Sequence, residues 1–126
     1  MNEVDSLIIN AHDKLESAFI LFENEKYADA VSRAYYSMFF AAKALLFENN
    51  IHPRTHRGLI SQFSLEIVKN RKFPQELFNL LARAQEDREQ ADYGFKNTID
   101  KEEAKYILQG SRKFLNECEL ILKTKT

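Results

Sequence analysis

Four polar side chains stand where the surrounding sequence pattern calls for apolar residues, and they are the candidates for chemistry. Arg33 interrupts the most apolar stretch of the chain, and His56 opens a shorter apolar stripe. Arg88 and Asp92 interrupt a third stripe, one helical turn apart. An arginine fork can bind two phosphate oxygens at once, and a histidine near a helix N-terminus tends to be neutral. These residue types suggest a polar groove that accepts a phosphate, with a neutral imidazole beside it that could act as a base.

A structural interpretation of the same residues stays open. Asp92 or a nearby glutamate could neutralise one arginine in the core, because a buried arginine is costly unless it is paired. His56 could equally cap a helix or pack against its neighbours. The pairs Tyr35-Tyr36 and Phe39-Phe40 could stack on nucleic-acid bases, although aromatic residues at helical spacing more often belong to a core.

Several other kinds of site are excluded because the sequence lacks their motifs. The three histidines and the single Cys118 do not have zinc-ligand spacing, and the sequence contains no HExxH, no glycine-rich phosphate loop and no GxSxG. Cys118 lies on an apolar helix face, where a core role is more usual than a nucleophilic one. The sequence therefore predicts neither a metal nor an organic cofactor. With a formal net charge of −1, any contact with nucleic acid has to be local.

The elements that must position these residues are all helical. Apolar residues recur at helical spacing in five segments, at about 3–23, 27–50, 55–67, 74–93 and 101–122, and no strand pattern appears. Thr55 and Asp100 are predicted helix caps, Pro74 is expected in the first turn of the fourth helix, and Asn24 and Gly94 are expected to end helices in the left-handed conformation. The sequence predicts an all-α, antiparallel bundle of four to five helices in a single domain spanning 1–126.

The second helix is apolar on so much of its circumference that it should contact at least three other helices or carry a dimer contact. The segment MNEVDSL lacks the basic and apolar regions of a signal peptide, so we expect a cytoplasmic protein without a membrane span.

Three segments, in order along the chain, resemble the motifs of small prokaryotic HEPN-domain proteins (higher eukaryotes and prokaryotes nucleotide-binding). They are Ala30-x-x-x-Ala34-Tyr35-Tyr36-x-Met38-Phe39 with Arg33 before the Ala-Tyr-Tyr, Thr55-His56 followed by Phe63, and Arg88-x-x-x-Asp92-Tyr93. Together they span about residues 27–95. The resemblance implies a helical bundle that forms a homodimer and has a minimal nucleotidyltransferase as its frequent partner, in a toxin–antitoxin-like system.

The sequence departs from the catalytic motif of that superfamily. Many of its members are metal-independent ribonucleases whose site is an arginine followed, after four to six residues, by a histidine. Here Arg88 is followed by Asp92 and Tyr93 without a histidine. Tyr93 also lies two residues closer to its arginine than the tyrosine that some nucleotidyltransferase partners adenylylate, so that role is not carried over. His56 would have to supply the missing imidazole from another helix.

Three functions follow from these residues. The first is a homodimeric module that pairs with a nucleotidyltransferase and binds nucleotide or RNA without cleaving it. The second is a ribonuclease toxin using Arg88 with His56 or Asp92, and the third is a purely structural bundle. In all three we expect Arg88 and Asp92 to face a common groove together with His56 or Arg33. The predicted nucleotide- or RNA-binding residues are Arg33, Tyr36, His56, Arg88, Asp92 and Tyr93.

Overall fold

The computed structural model describes residues 2–70, 73–94 and 99–124, and within these ranges all regular secondary structure is helical. The α-helices are α1 Glu3–Glu23, α2 Tyr27–Glu48, α3 His56–Phe63, α4 Gln75–Asp92 and α5 Lys101–Lys123. A π-helical turn, Ser64–Val68, continues α3. The prediction of an all-α bundle is confirmed. In the described part of the chain, no helix has the length and apolar character needed to cross a membrane.

Helix α2 is the centre of the bundle and contacts all four other α-helices, as its near-continuous apolar surface predicts. Small side chains let the neighbouring helices approach closely. Two buried serines hold them in place: Ser37 donates to the carbonyl of Ala11 on α1 at 2.8 Å, and Ser111 on α5 donates to the carbonyl of Ala34 at 3.0 Å. Both hydroxyls are thereby satisfied in the core. The buried alanines of α2 are Ala30, Ala34, Ala41, Ala42 and Ala44.

The predicted caps are present. The Thr55 hydroxyl accepts from the Gly58 amide at 2.9 Å, and the Asp100 carboxylate accepts from the Glu103 amide at 2.9 Å. Gly94 has the expected left-handed conformation, with φ of 94°. Pro74, expected in the first turn of its helix, instead precedes α4 as the N-cap residue.

One predicted helix stop is wrong. After α1 the left-handed residue is Glu25, with φ of 62°, whereas Asn24 has φ of −95°. The Asn24 side-chain amide donates to the carbonyl of Ile20 at 2.8 Å, which keeps this residue close to the helix and moves the turn one position on.

Candidate functional site

The centre of the candidate site is the guanidinium of Arg88, on the part of α4 that faces α2. Its side chain is only 16% exposed, and its Cζ lies 5.1 Å from the Tyr35 ring centroid and 5.6 Å from that of Tyr36. Nη1 donates to the Asp92 carboxylate at 2.8 Å, whereas Nε is buried and has no partner among the described residues. Aromatic faces stabilise a cation, but an unpaired buried donor is costly. Arg88 is therefore a partly desolvated cation with one buried, unpaired donor, which an acceptor could satisfy only if the side chain moved.

His56, the first residue of α3, contacts the same two tyrosines, with ring centroids 5.9 Å from each. Its ring stacks on Phe39 with centroids 4.3 Å apart, and its Nδ1 is 2.7 Å from the Tyr35 hydroxyl. Burial lowers the pKa of His56, and the positive charges of Arg88 and Lys43 lower it further. The imidazole is therefore neutral at neutral pH.

The local sequence at the start of α3 explains why His56 is held there. The Thr55 cap fixes the first turn of the helix, and a Cβ added at Gly58 would lie only 2.9 Å from the Thr55 hydroxyl oxygen. Glycine at position 58 therefore allows the cap to close tightly. The capped turn directs the residue after Thr55 towards α2.

Two adjacent tyrosines of α2 have different environments in the site. Tyr35 is fully buried, and burial raises the pKa of its hydroxyl well above the ordinary value, so this hydroxyl stays protonated. Tyr36 is partly exposed, and its ring stands perpendicular to that of His56 with centroids 5.9 Å apart. Tyr36 thus presents an accessible aromatic surface beside the arginine and the imidazole.

The structure brings some of the predicted site residues together and separates others. We expected either His56 or Arg33 to lie near Arg88, and the structure places His56 there, against the same two tyrosines. Arg33 instead lies exposed on α2 and makes no hydrogen bond or ion pair with any residue the structure describes. Asp92 holds Arg88 from the rim, with its side chain 59% exposed, so it faces solvent more than the expected groove. Tyr93 follows at the end of α4 and is 80% exposed.

A second polar cluster, between α4 and α5, was not predicted from the sequence. Arg83 donates to both carboxylate oxygens of Glu103, one of them at 2.9 Å through Nε. This pairing lowers the pKa of Glu103. Burial and a shared hydrogen bond with Glu103 raise the pKa of the neighbouring Asp87 to about 7. Arg83 and Asp87 are four residues apart on one helix, which the sequence displays, but their contact with Glu103 depends on how α5 packs.

The part of the chain that the structure describes contains no group of three or more His, Cys, Asp or Glu side chains placed to hold a metal ion. The residues around Arg88 are instead the aromatic rings of Tyr35 and Tyr36, with the Asp92 carboxylate at the exposed rim. Such a lining suits an anion joined to a planar group better than it suits a cation.

Comparison with known proteins agrees with the motifs. A protein named “Putative toxin MJ0142” from Methanocaldococcus jannaschii is 40% identical over 123 residues, covering 98% of this chain and 84% of that protein. A second protein of the same organism, “Putative toxin MJ0605”, is 39% identical over 125 residues, covering 96% and 90%. A UPF0332 protein of Thermotoga maritima is 31% identical over 126 residues, covering 97% and 96%.

The family model described as HEPN domain matches residues 4–121, which is nearly the whole chain and includes every residue of the Arg88 site. The match extends beyond the three motifs to α1 and α5. This chain belongs to the HEPN domain family.

Proposed function

We propose that this protein is a homodimeric HEPN module that binds the phosphate of a nucleotide or of RNA at Arg88 and assembles with a minimal nucleotidyltransferase in a toxin–antitoxin-like system. The observation that carries the phosphate site is the mostly buried Arg88 guanidinium, whose Nε is unpaired among the described residues. A purely structural arginine would be expected to have all its buried donors paired. Among the described residues, the only carboxylate bonded to Arg88 is the exposed Asp92 at the rim.

The surroundings of Arg88 favour a nucleotide phosphate over a free inorganic anion. Tyr36 offers a partly exposed ring next to the guanidinium, and a base attached to the phosphate could stack on it. Glu89 and the net charge of −1 oppose non-specific attraction of polyanions. Binding should therefore be local and involve few phosphates, with a weak dependence on salt.

The proposed homodimer rests on the outer side of α2. Tyr36, Phe39, Phe40 and Phe47 are all only partly buried in a single chain, although each is a large aromatic residue. A two-fold contact in which α2 of one copy meets α2 of the other would cover Phe40 and Phe47 of this aromatic stripe. Tyr36 lies at the end of this stripe beside Arg88, and the proposed contact leaves its ring free for a base.

A ribonuclease is the second candidate, and the position of His56 favours it. Cleavage of RNA without a metal needs a base for the 2′-hydroxyl proton and a cation for the phosphate. The neutral imidazole lies beside the same two tyrosines as Arg88. The toxin names of the two M. jannaschii relatives are compatible with this activity.

Purification of the protein from its native host tests the proposed function. Mass spectrometry of the purified complex should identify a nucleotidyltransferase, and the released small molecules should include a nucleotide or short RNA. Purified protein incubated with RNA and a chelator should bind the RNA and leave it intact. Cleavage that depends on both Arg88 and His56 would establish the ribonuclease instead. Absence of both a partner and a nucleic-acid ligand would leave the structural bundle.

A further inference from the structure

We propose that Tyr35 is a positioning residue that holds His56 with its proton on Nε2. The site then presents the His56 Nε2–H donor to a bound phosphate beside the positive charge of the Arg88 guanidinium, and no base at Nε2. This inference deepens the proposed function and rests on it for the identity of the ligand. The position of the proton on His56 follows from the geometry alone.

The Tyr35 hydroxyl is fully buried and carries one hydrogen that needs an acceptor. Its only hydrogen-bond partner in the described part of the chain is Nδ1 of His56, at 2.7 Å. If Nδ1 carried the imidazole proton and donated to Tyr35, the tyrosine hydrogen would be buried without an acceptor, which native structures rarely tolerate. Tyr35 must therefore donate, and Nδ1 must accept.

The neutral imidazole carries one proton, so an accepting Nδ1 places that proton on Nε2. Arg88, Lys43 and Glu89 are the charged groups that act on His56, and the two cations oppose its protonation to imidazolium. Nε2 makes no hydrogen bond with any residue that the structure describes, and it is not among the described atoms that are buried without a partner. Its N–H is therefore open to a ligand.

This protonation state has a consequence for the chemistry of the site. To accept a proton at Nε2, His56 would first have to move its own proton to Nδ1 and break its bond from Tyr35. The buried hydroxyl would then lose its acceptor. Tyr35 therefore makes His56 a better donor to phosphate than a base towards a 2′-hydroxyl, and the site favours binding over cleavage.

The tautomer can be measured in the wild-type protein without any substitution, from two-bond ¹H–¹⁵N correlations of the histidine rings at neutral pH. We expect the Nε2-protonated pattern for His56. His12, whose Nε2 is 2.9 Å from the Glu119 carboxylate, and the exposed His52 serve as internal references. An Nδ1-protonated ring, an averaged mixture of tautomers or an imidazolium would overturn the inference.

The variant Tyr35→Phe tests independently whether Tyr35 donates its hydrogen bond to His56. A donor to Nδ1 favours the unprotonated ring, so its removal should raise the titration midpoint of His56. A midpoint that falls or does not move would mean that Tyr35 does not donate.

The donor role at Nε2 is tested with a fluorescent single-stranded oligo(A) RNA. In His56→Gln the amide NH₂ can reach the Nε2 position, so we expect affinity within about threefold of wild type, whereas His56→Ala should bind about tenfold more weakly. Equal losses in both variants, or none in either, would refute the donor role. If wild-type protein does not bind the RNA, the phosphate site itself is wrong, and the spectra still decide the tautomer.

Discussion

Replacing Arg88 with methionine removes the guanidinium and leaves an unbranched side chain that can fill much of the same space. Asp92 loses its partner in this variant, but the effect should be small because a carboxylate that is 59% exposed remains solvated on its own. A second substitution at Asp92 is therefore unnecessary. Arg88→Met tests the site by itself.

The expected stability change is small because opposing effects nearly cancel. The exposed i,i+4 pair with Asp92 contributes about 0.5 kcal/mol, and the contacts of Arg88 with the two tyrosine rings contribute about 1 kcal/mol. Removing the unpaired Nε donor relieves about 1 to 3 kcal/mol. We therefore expect a free energy of unfolding between about 0.5 kcal/mol below and about 1.5 kcal/mol above wild type, which corresponds to a shift in Tm of about 6 °C or less.

The expected change in affinity is much larger. A hydrogen bond from a charged donor to phosphate contributes about 1.5 to 3 kcal/mol, so RNA or AMP should bind about 10 to 150 times more weakly. The slope of log affinity against log salt should become shallower by about 0.7 for each phosphate that the variant no longer neutralises. Fluorescence anisotropy with labelled single-stranded RNA at several salt concentrations measures both quantities.

Arg83→Met is the matched control, because it makes the same substitution on the same helix. Arg83 is paired with Glu103 and lies outside the Arg88 cluster, so its loss should lower stability by up to about 1 kcal/mol and leave RNA affinity unchanged. If Arg88→Met instead lowers Tm by more than about 10 °C and leaves affinity intact, Arg88 is a structural residue and the phosphate site is refuted.

Three further predictions concern the rest of the molecule. Folding raises the pKa of Asp87 from 3.8 to about 7, so the folded chain keeps this proton longer than the unfolded chain, and stability should fall as the pH rises from about 4 to about 7. Asp87→Asn should remove that slope in thermal melts. The lowered pKa of Glu103 affects stability only at lower pH. Light scattering should show a dimer at tens of micromolar, and Phe40→Glu should give a folded monomer; a wild-type monomer would contradict the proposed contact. A Cβ on Gly110 would lie 2.0 Å from a terminal methyl of Leu80, so Gly110→Ala should lack the gain of about 1 kcal/mol that alanine brings to a helix interior, and a denaturant midpoint raised by that amount would show that Leu80 moves aside freely.

The architecture was predictable because it depends on periodicity, which the sequence displays directly. The apolar surface of α2 predicted its central position, and Thr55 and Asp100 predicted two caps that the structure contains. The prediction placed the left-handed residue after α1 one position too early, because the Asn24 side-chain amide donates a hydrogen bond to the Ile20 carbonyl of the helix.

The candidate site was only partly predictable, because it is built between helices. Arg33 and Arg88 both interrupt apolar stripes, yet Arg33 is exposed and Arg88 is mostly buried. On a helix that is apolar nearly all round, periodicity cannot say which side faces solvent. The bond between Tyr35 and His56 joins residues 21 positions apart, so it follows from the packing of α3 on α2 and has no signal in the sequence.

The most direct test of the central claim is a titration of the protein with AMP or single-stranded RNA, followed through the arginine Nε–H signals in ¹H–¹⁵N spectra. If the Arg88 guanidinium binds phosphate, its Nε–H signal should shift strongly and saturably, together with the ring signals of His56. The signals of Arg83 and Arg33 should stay in place. Saturable binding that leaves Arg88 unmoved, or no binding of either ligand, would contradict the account.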